Sequence, residues 1–568
     1  MNIILLPLSA YFVLMLTGTR WFQPVQPADP ESLTAAIPVC GASVTDVTRS
    51  EEGRYVTALP GWGNHSYAVA TDSDSSQYFF DQGLSLYYGY HFPEAVASFK
   101  ESARFDPDNA MAYWGQALSM GPSYNGAHLY QKPAGLTEIL AKMNRKAVKS
   151  PANELRLIGA MNRRYSEDPT DQDRPALNRA YAEALKKIVE TDDEAKILYV
   201  DAVMLLHPWD FWTTGGAPQP WTQELVAYTN DVIRRNPDHP AALHYHIHLT
   251  EASRQPQVAL ESAHRLKDLM PGVAHMVHMS SHQYERIGLY PLGVEVNIRA
   301  DSNLRVYDEY AKHLGLNRRS FHYFAVQTYC AFTGGLYPDA LRYAGLTRAS
   351  VTPSPENTYH QYLFMLPVLA NVRMGKWSEI LNDTTQIRQD WSYAGLLSDF
   401  AKGVASVYTN DLSTAAGHLK SLREKLLDPA LETRRIPFNS SLQSARIAEK
   451  LLEGILLYAQ KKPAAALASL EKAVQLEDQL IYTEPKDWPL PSRQFLGAYL
   501  LREGQARRAE AVYRADLAKN PGNGWSLTGL KLSLEASGRP GEAGELTPRV
   551  LEAFSHATEK PIGSVFME

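Results

Sequence analysis

Apolar side chains return every three or four residues over most of this chain, the spacing that lines one face of a helix. The stretch SQYFFDQGLSLYYGYHFPEAVASFKESARFDPDNAMAYWGQAL, Ser76–Leu118, predicts amphipathic helices joined by a short turn at Gly89–Pro93. Within it Gly83, Ala95, Phe99 and Pro107 form a set. Small residues sit where two helices approach, a ring fills the space between them, and a proline ends the pair. Gly497, Ala509, Tyr513 and Pro521 repeat that set with the same separations of 12, 4 and 8 residues. No segment alternates with period two for long enough to make a sheet.

Self-similarity of this kind resembles the tetratricopeptide repeat (TPR), a helix–turn–helix unit of about 34 residues. Pro237 and Pro271 stand 34 residues apart, as do Gly504 and Gly538. Weaker copies centre on Gly288–Tyr290, Gly335–Tyr337 and Gly375–Trp377, at unequal spacings of 47 and 40. The resemblance implies an all-α fold, a right-handed α-solenoid of TPR-like helix pairs. The 568 residues then form one array in place of three or four compact domains. Its segments are a loop-rich lead-in over 21–74, N-terminal repeats over 75–149 and a divergent helical segment over 150–236, broken by HPWDFWTTGGAPQPW. A His-rich pair of repeats follows over 237–345, then helical repeats over 346–480 and C-terminal repeats over 481–568.

Residues 1–20 stand apart. Ile3–Gly18 is apolar and carries no charge before Arg20, short for a membrane span and suited to a signal-peptide core or an uncleaved anchor. An exported or N-terminally anchored protein is the expectation. The rest of the chain, with 56 basic and 62 acidic residues and a net charge of −6, offers no basic face for nucleic acid. Cys40 and Cys330 are its only cysteines, so any metal must be held by histidine and carboxylate.

Seven of the 17 histidines fall within the 39 residues from His244 to His282, in LHYHIHLTEAS and AHMVHMSSHQYER. His244, His248 and Glu251 lie on one helical face, and His275, His278, His282 and Glu285 on another. His244 and His278, His248 and His282, and Glu251 and Glu285 are each 34 residues apart, so one repeat length maps the first group onto the second. In the TPR register Ile247 and Ser281 take the place of Gly83, which puts these six residues on the concave face. Aligning Gly288 with Gly335 places His322 at the equivalent of His275 in the following repeat. His246 points toward helix packing, and His264 lies on a second helix facing solvent.

Six histidines and two glutamates converging in one groove predict a transition-metal site, because each partly buried imidazole needs a partner and a shared cation supplies one. Ligand nitrogen with a carboxylate suits Cu or Zn, with Fe or Mn also compatible, and argues against Ca or Mg. Six histidines exceed the needs of one tetrahedral ion; two ions with three histidines each, as in a dicopper centre, would use them all. Glu251 and Glu285 are candidate ligands, or the general base acting on metal-bound water. The alternative is a scaffold whose groove holds a protein or peptide tail without metal. MGPSYN (Met120–Asn125) and HPWDFW (His207–Trp212) are candidates for a rim or lid. YTEPKDWPLPSR brings Glu484, Asp487, Trp488 and Arg493 ahead of the last repeat, with Trp488 read as a packing plug. GxSxG, P-loop, GxGxxG and HExxH motifs are absent from the sequence.

From about Ser76 to Gly538 the chain also resembles a group of long bacterial TPR proteins, through FFDQGLSLYYGY, LLHPWDFW, HPAALHYHIHLTEAS, PGVAHMVHMSSHQYERIG and YTEPKDWPLPSRQFLGAYLL. The resemblance implies His244, His248, Glu251, His275, His278 and His282 as a recurrent polar set and supplies no substrate. This chain departs from the group at Leu243, Phe92 and Arg318–Arg319. The two functional readings are therefore a metal-dependent enzyme acting on a small molecule, either oxidase/oxygenase or hydrolase, and a TPR scaffold.

Overall fold

A computed structural model describes residues 47–126, 130–167, 173–316, 318 and 321–567. The expected signal or anchor segment, Cys40 and Arg319 lie outside these residues. No helix among the described residues is long and apolar enough to cross a membrane.

The architecture is all-α. The N-terminal part holds α1 (Asp74–Tyr88), α2 (Phe92–Phe105), α3 (Ala110–Ser119), α4 (Leu136–Lys146) and α5 (Ala152–Arg164). Next come α6 (Arg174–Lys186), α7 (Asp193–Leu206) and α8 (Thr222–Arg235). The His-rich part is α9 (Pro240–Thr250), α10 (Leu260–Leu269), α11 (Ala274–Ile287), α12 (Tyr290–Tyr310) and α13 (Phe321–Thr333). It is followed by α14 (Tyr337–Ala349), α15 (Thr358–Phe364), α16 (Leu366–Arg373), α17 (Trp377–Leu381), α18 (Ser392–Tyr408), α19 (Leu412–Lys425) and α20 (Ala430–Thr433). A two-residue hairpin, β1 (Arg435–Ile436) against β2 (Asn439–Ser440), is the only sheet among the described residues. The array ends with α21 (Ser441–Ala459), α22 (Pro463–Glu477), α23 (Ser492–Arg502), α24 (Ala506–Lys519), α25 (Gly524–Ala536) and α26 (Pro540–Ala553).

The repeat logic is visible in the packing. A Cβ at Gly83 would stand 3.0 Å from the Phe99 ring, and one at Gly115 2.3 Å from it, so the ring lies between two glycines on successive first helices. Tyr513 lies in the same way between Gly497 and Gly529. The helices therefore form TPR-like pairs stacked in sequence, each packed mainly on its neighbours.

The array also folds back on itself. Gly288 ends α11 at φ +88°, and a Cβ there would meet the Gly522 carbonyl oxygen at 2.4 Å; only glycine permits both that backbone and that approach. Trp525 Nε1 donates to the Thr333 carbonyl at 2.8 Å, and Asn523 Nδ2 donates to Tyr290 Oη at 3.1 Å. On the other side the lead-in docks through Gly272 N–H to the Gly61 carbonyl at 2.9 Å and Tyr307 Oη to the Pro60 carbonyl at 3.0 Å. These contacts enclose α9 and α11. Every residue of α9 is buried, as is α11 from Ala274 to Arg286. The histidine face expected to line an open groove is instead an interior surface.

Candidate metal centre

Helix α9 opens on His239, whose Nδ1 accepts the Ala242 N–H at 3.4 Å, with Pro240 in the first turn. One turn into the helix comes His244, and another turn on His248. Helix α11 carries His275, His278 and His282 on the face turned toward α9, and α13 contributes His322 near its start. The six histidines and Glu251 from the sequence thus come together, and the position of Glu285 is described below.

The six imidazoles sort into two groups of three. His244, His248 and His275 have ligand nitrogens within 4.8 Å of one another, and so do His278, His282 and His322. In the first group ring centres lie 4.8 Å (His244–His248), 4.9 Å (His244–His275) and 6.3 Å (His248–His275) apart. The second group shows 4.8 Å (His278–His282), 4.8 Å (His278–His322) and 6.5 Å (His282–His322). One group is the other carried forward by a repeat, and His322 stands to His278 as His275 stands to His244. Between groups, His248 and His282 are 6.0 Å apart, as are His275 and His278.

The groups behind the rings fix the tautomers. His244 Nδ1 lies 2.8 Å from the Tyr88 carbonyl oxygen, which can only accept, so Nδ1 carries the hydrogen and Nε2 keeps its lone pair. His278 Nδ1 lies 2.6 Å from Asn297 Oδ1, and the amide is held in that orientation because its Nδ2 donates to the Gly293 carbonyl at 2.8 Å. His248 Nδ1 donates to Glu251 Oε1 at 3.1 Å, and His282 Nδ1 donates to Glu251 Oε2 at 2.7 Å; Glu484 Oε2 lies 2.6 Å from the same His282 nitrogen as an ion-pair partner, without accepting a hydrogen bond. The Nε2 atoms then face one another: His275 and His244 at 3.1 Å, His278 and His322 at 3.1 Å, His278 and His282 at 3.0 Å. Two nitrogens each about 2.0–2.1 Å from a shared ion stand about 3–3.5 Å apart.

Electrostatics keep most of the cluster uncharged. Burial, reinforced by neighbouring imidazoles, pushes His244, His275 and His278 well below the usual histidine range, and His248 and His322 to about 3. His282 differs: burial opposes its charge, but the Glu484 and Glu251 carboxylates outweigh burial and raise it to about 10. Glu251 and Glu484 are themselves raised by burial.

Glu251 and Glu285, expected together as ligands or base, occupy different positions. Glu251 sits behind the rings and joins both groups through their Nδ1 atoms. Glu285 is buried with neither oxygen hydrogen-bonded, and burial followed by the Glu484 charge raises it to about 8. His246 donates or accepts through Nδ1 with Ser262 Oγ at 2.9 Å, on the packing side, as expected. His264 is half-buried, bonded to Tyr284 Oη at 2.8 Å, and outside the site. Arg318 is engaged elsewhere, pairing with Glu94 at 2.6 Å.

Sequence reasoning left several parts of the site unassigned. Glu484 reaches His282 from the loop before α23, while Trp488 beside it is buried as a plug. Tyr90 lies 4.9 Å from His275, Tyr124 5.1 Å from His248 and Trp209 5.8 Å from His248, so the MGPSYN and HPWDFW segments cover the first group. A third polar group, His65, Glu194 and His239, lies behind Tyr88. Both histidines stand near Glu194 Oε2, at 3.3 and 3.5 Å, and the Tyr88 hydroxyl donates to Oε1. It ties the lead-in to the residue whose carbonyl backs His244. Glu484 had a chemical signal, an acid in a Pro-rich turn; His65 and Glu194 had none.

No known protein family and no curated protein matches the chain. Among solved structures it is similar to a human IFIT1 dimer with m7Gppp-AAAA, at 13% identity over 85% of this chain and 91% of that one, with a TM-score of 0.28. It is similar also to the APC/C hetero-tetramer Cut9–Hcn1, at 14% identity over 85% and 78% with a TM-score of 0.29. The P58(IPK) TPR domain is similar at 12% identity over 84% and 98%, with a TM-score of 0.18.

Proposed function

We propose that the two histidine groups bind a pair of transition-metal ions, three imidazoles to each, and that the chain is a metal-dependent enzyme. One observation carries the reading. His278 Nε2 has a single lone pair, because its Nδ1–H is committed to Asn297, yet the Nε2 atoms of His282 and His322 both converge on it, at 3.0 and 3.1 Å. One lone pair accepts one hydrogen well; a cation placed among the three nitrogens engages all of them.

Charge favours copper. Once a metal has displaced the His282 proton the six imidazoles bring no charge, and Glu251 and Glu484, when ionised, bring two negative ones. Two monovalent ions balance that pair without a further anion, a condition copper meets and zinc does not. A copper pair supplies electron transfer to or from a bound substrate, which makes oxidase or oxygenase the preferred class over zinc hydrolysis. In this reading Glu251 orients His248 and His282 and strengthens them as ligands by accepting their Nδ1 hydrogens, and the Glu484 charge beside His282 adds to that. Glu285, protonated near neutral pH, is the group available to give or take a proton beside them. Tyr88, Tyr90, Tyr124 and Trp209 exclude water.

Metal analysis by mass spectrometry on wild type, His248→Ala, His282→Ala and His264→Ala tests the assignment. The account expects two ions per chain in wild type and His264→Ala, and a deficit in each of the other two. Oxygen consumption by copper-loaded protein, against ester or phosphoester hydrolysis by zinc-loaded protein, separates the two enzyme classes. Equal metal in all four proteins, or none after reconstitution, returns the chain to the scaffold reading, with partners held on its exposed helical faces.

A further inference from the structure

Beside the covered histidines lies a cleft of about 500 Å³, partly open to solvent and within the size range of small-molecule sites. Its walls include the rings of Trp209, Phe438 and Tyr482, and two arginines, Arg254 and Arg286, line it as well. Trp209 and Phe438 pack with ring centres 5.3 Å apart. Two of these walls belong to the histidine site: Trp209 stands edge-on to His248, and the Tyr482 hydroxyl donates to Glu484, the carboxylate behind His282. The cavity therefore ends one side chain, Trp209, short of the first histidine group and two, Tyr482 and Glu484, short of the second.

Its charge is unusual. Arg286 is 6% exposed, gives one N–H to the Ser253 carbonyl at 2.9 Å, and lies 5.0 Å over the Tyr482 ring. Its Nε is buried and without a partner. Arg254 gives one N–H to the Thr214 carbonyl at 2.8 Å. A guanidinium has five donors, so most of them remain free at both residues. Neither arginine pairs with a carboxylate among the described residues. The carboxylates around the cavity are committed elsewhere. Asp478 pairs with Arg493 and Lys519, Glu477 accepts the Ser492 N–H at 2.6 Å, Asp210 accepts from Gln219, and Asp487 accepts from Asn439 and Thr483. Burial, and after it the neighbouring Arg286 charge, holds Arg254 below its ordinary range.

A buried cation such as Arg286 left unpaired is costly unless a ligand completes it, and a guanidinium fork fits a planar carboxylate through two parallel hydrogen bonds. Rings along the remaining walls suit a flat apolar body. We infer that this cavity binds a small aromatic carboxylate, its carboxylate on Arg286 and Arg254 and its ring against Trp209, Phe438 and Tyr482. This names the substrate class of the proposed metal centre and rests on that reading for its catalytic meaning, whereas the binding itself needs no metal.

Calorimetric titration of the full chain with 2-naphthoate, and with the uncharged 2-naphthalenemethanol, tests the inference in metal-free and reconstituted protein. The expected result is one naphthoate site per chain in both preparations, with the alcohol bound at least about 10-fold more weakly. Charge-assisted hydrogen bonds of this kind translate to a loss of about 10–100-fold for Arg286→Gln, with metal content unchanged. Arg254→Gln, at a half-buried position, carries the same expectation and stands in if Arg286→Gln does not fold. Absence of saturable naphthoate binding, equal binding of acid and alcohol, or wild-type affinity in the folded arginine variants would overturn it. A chain that binds naphthoate but no metal would overturn the metal reading alone.

Discussion

The two histidine groups have nearly the same internal geometry and different surroundings. His244, His248 and His275 are backed by one main-chain carbonyl and one oxygen of Glu251, under a cover of Tyr90, Tyr124 and Trp209. His278, His282 and His322 are backed by Asn297, the other oxygen of Glu251 and Glu484, with Tyr323 4.5 Å from His278. Repetition supplies the ligands, and elements outside the repeat set their environment. The first group is fixed and shielded by aromatic rings. The second is held by side chains that mutation can remove, and it is the one where a proton would compete with a metal.

The largest effect should come from the central histidine of either group. His278→Ala removes the nitrogen on which His282 and His322 converge, so metal analysis should show a fall from two ions to one per chain. His244→Ala should do the same for the other group. Loss of both ions in either variant would mean that the groups form a single site.

Next in size is the proton competition. Metal must displace the proton that Glu484 and Glu251 hold on His282 up to about pH 10, so affinity at the second group should rise about tenfold per pH unit between pH 6 and 9. Affinity at the first group should be flat over that range, because His248 is already neutral above about 3. Competition with a chromophoric chelator at each pH reads both. Glu484→Gln should weaken the second group about 10–100-fold at pH 9. The deficit should shrink toward pH 6, because the same carboxylate also holds the competing proton. Parallel pH profiles for the two groups would contradict the difference in their backing.

A smaller effect is expected from Asn297→Ala, which leaves His278 Nδ1–H without its acceptor and should lower affinity at the second group by about tenfold. The first group has no matching variant, because its acceptor is the main-chain carbonyl of Tyr88. His264→Ala should change neither group, and chelator titration with wild-type affinities would show it.

How much of this was legible in the sequence follows from the same division. The 34-residue spacing that relates His244 to His278 and His248 to His282 reflects repeat packing, and periodicity makes it readable. The glycines around Phe99 and Tyr513 carry the fold in the same way. His322 was reachable through the Gly288–Gly335 alignment despite the longer unit. Periodicity says nothing about how the array closes on itself, so an open groove was expected where α9 and α11 are interior. Gly288 against Gly522 and Trp525 against Thr333 are contacts between distant repeats with no spacing rule. Glu484 escaped assignment for the same reason: its loop reaches the histidines only once the array has folded back. Glu251 stands behind the Nδ1 atoms of His248 and His282, and periodicity does not distinguish that place from one beside Nε2.

The central claim is that each three-histidine group holds its own ion. X-ray absorption at the metal edge of the reconstituted full chain, with metal content measured on the same sample, tests it most directly. The account predicts two ions per chain, each with about three imidazole nitrogens at about 2.0 Å as nearest neighbours. A single ion per chain, no retained ion, or a coordination shell dominated by carboxylate oxygen would contradict it.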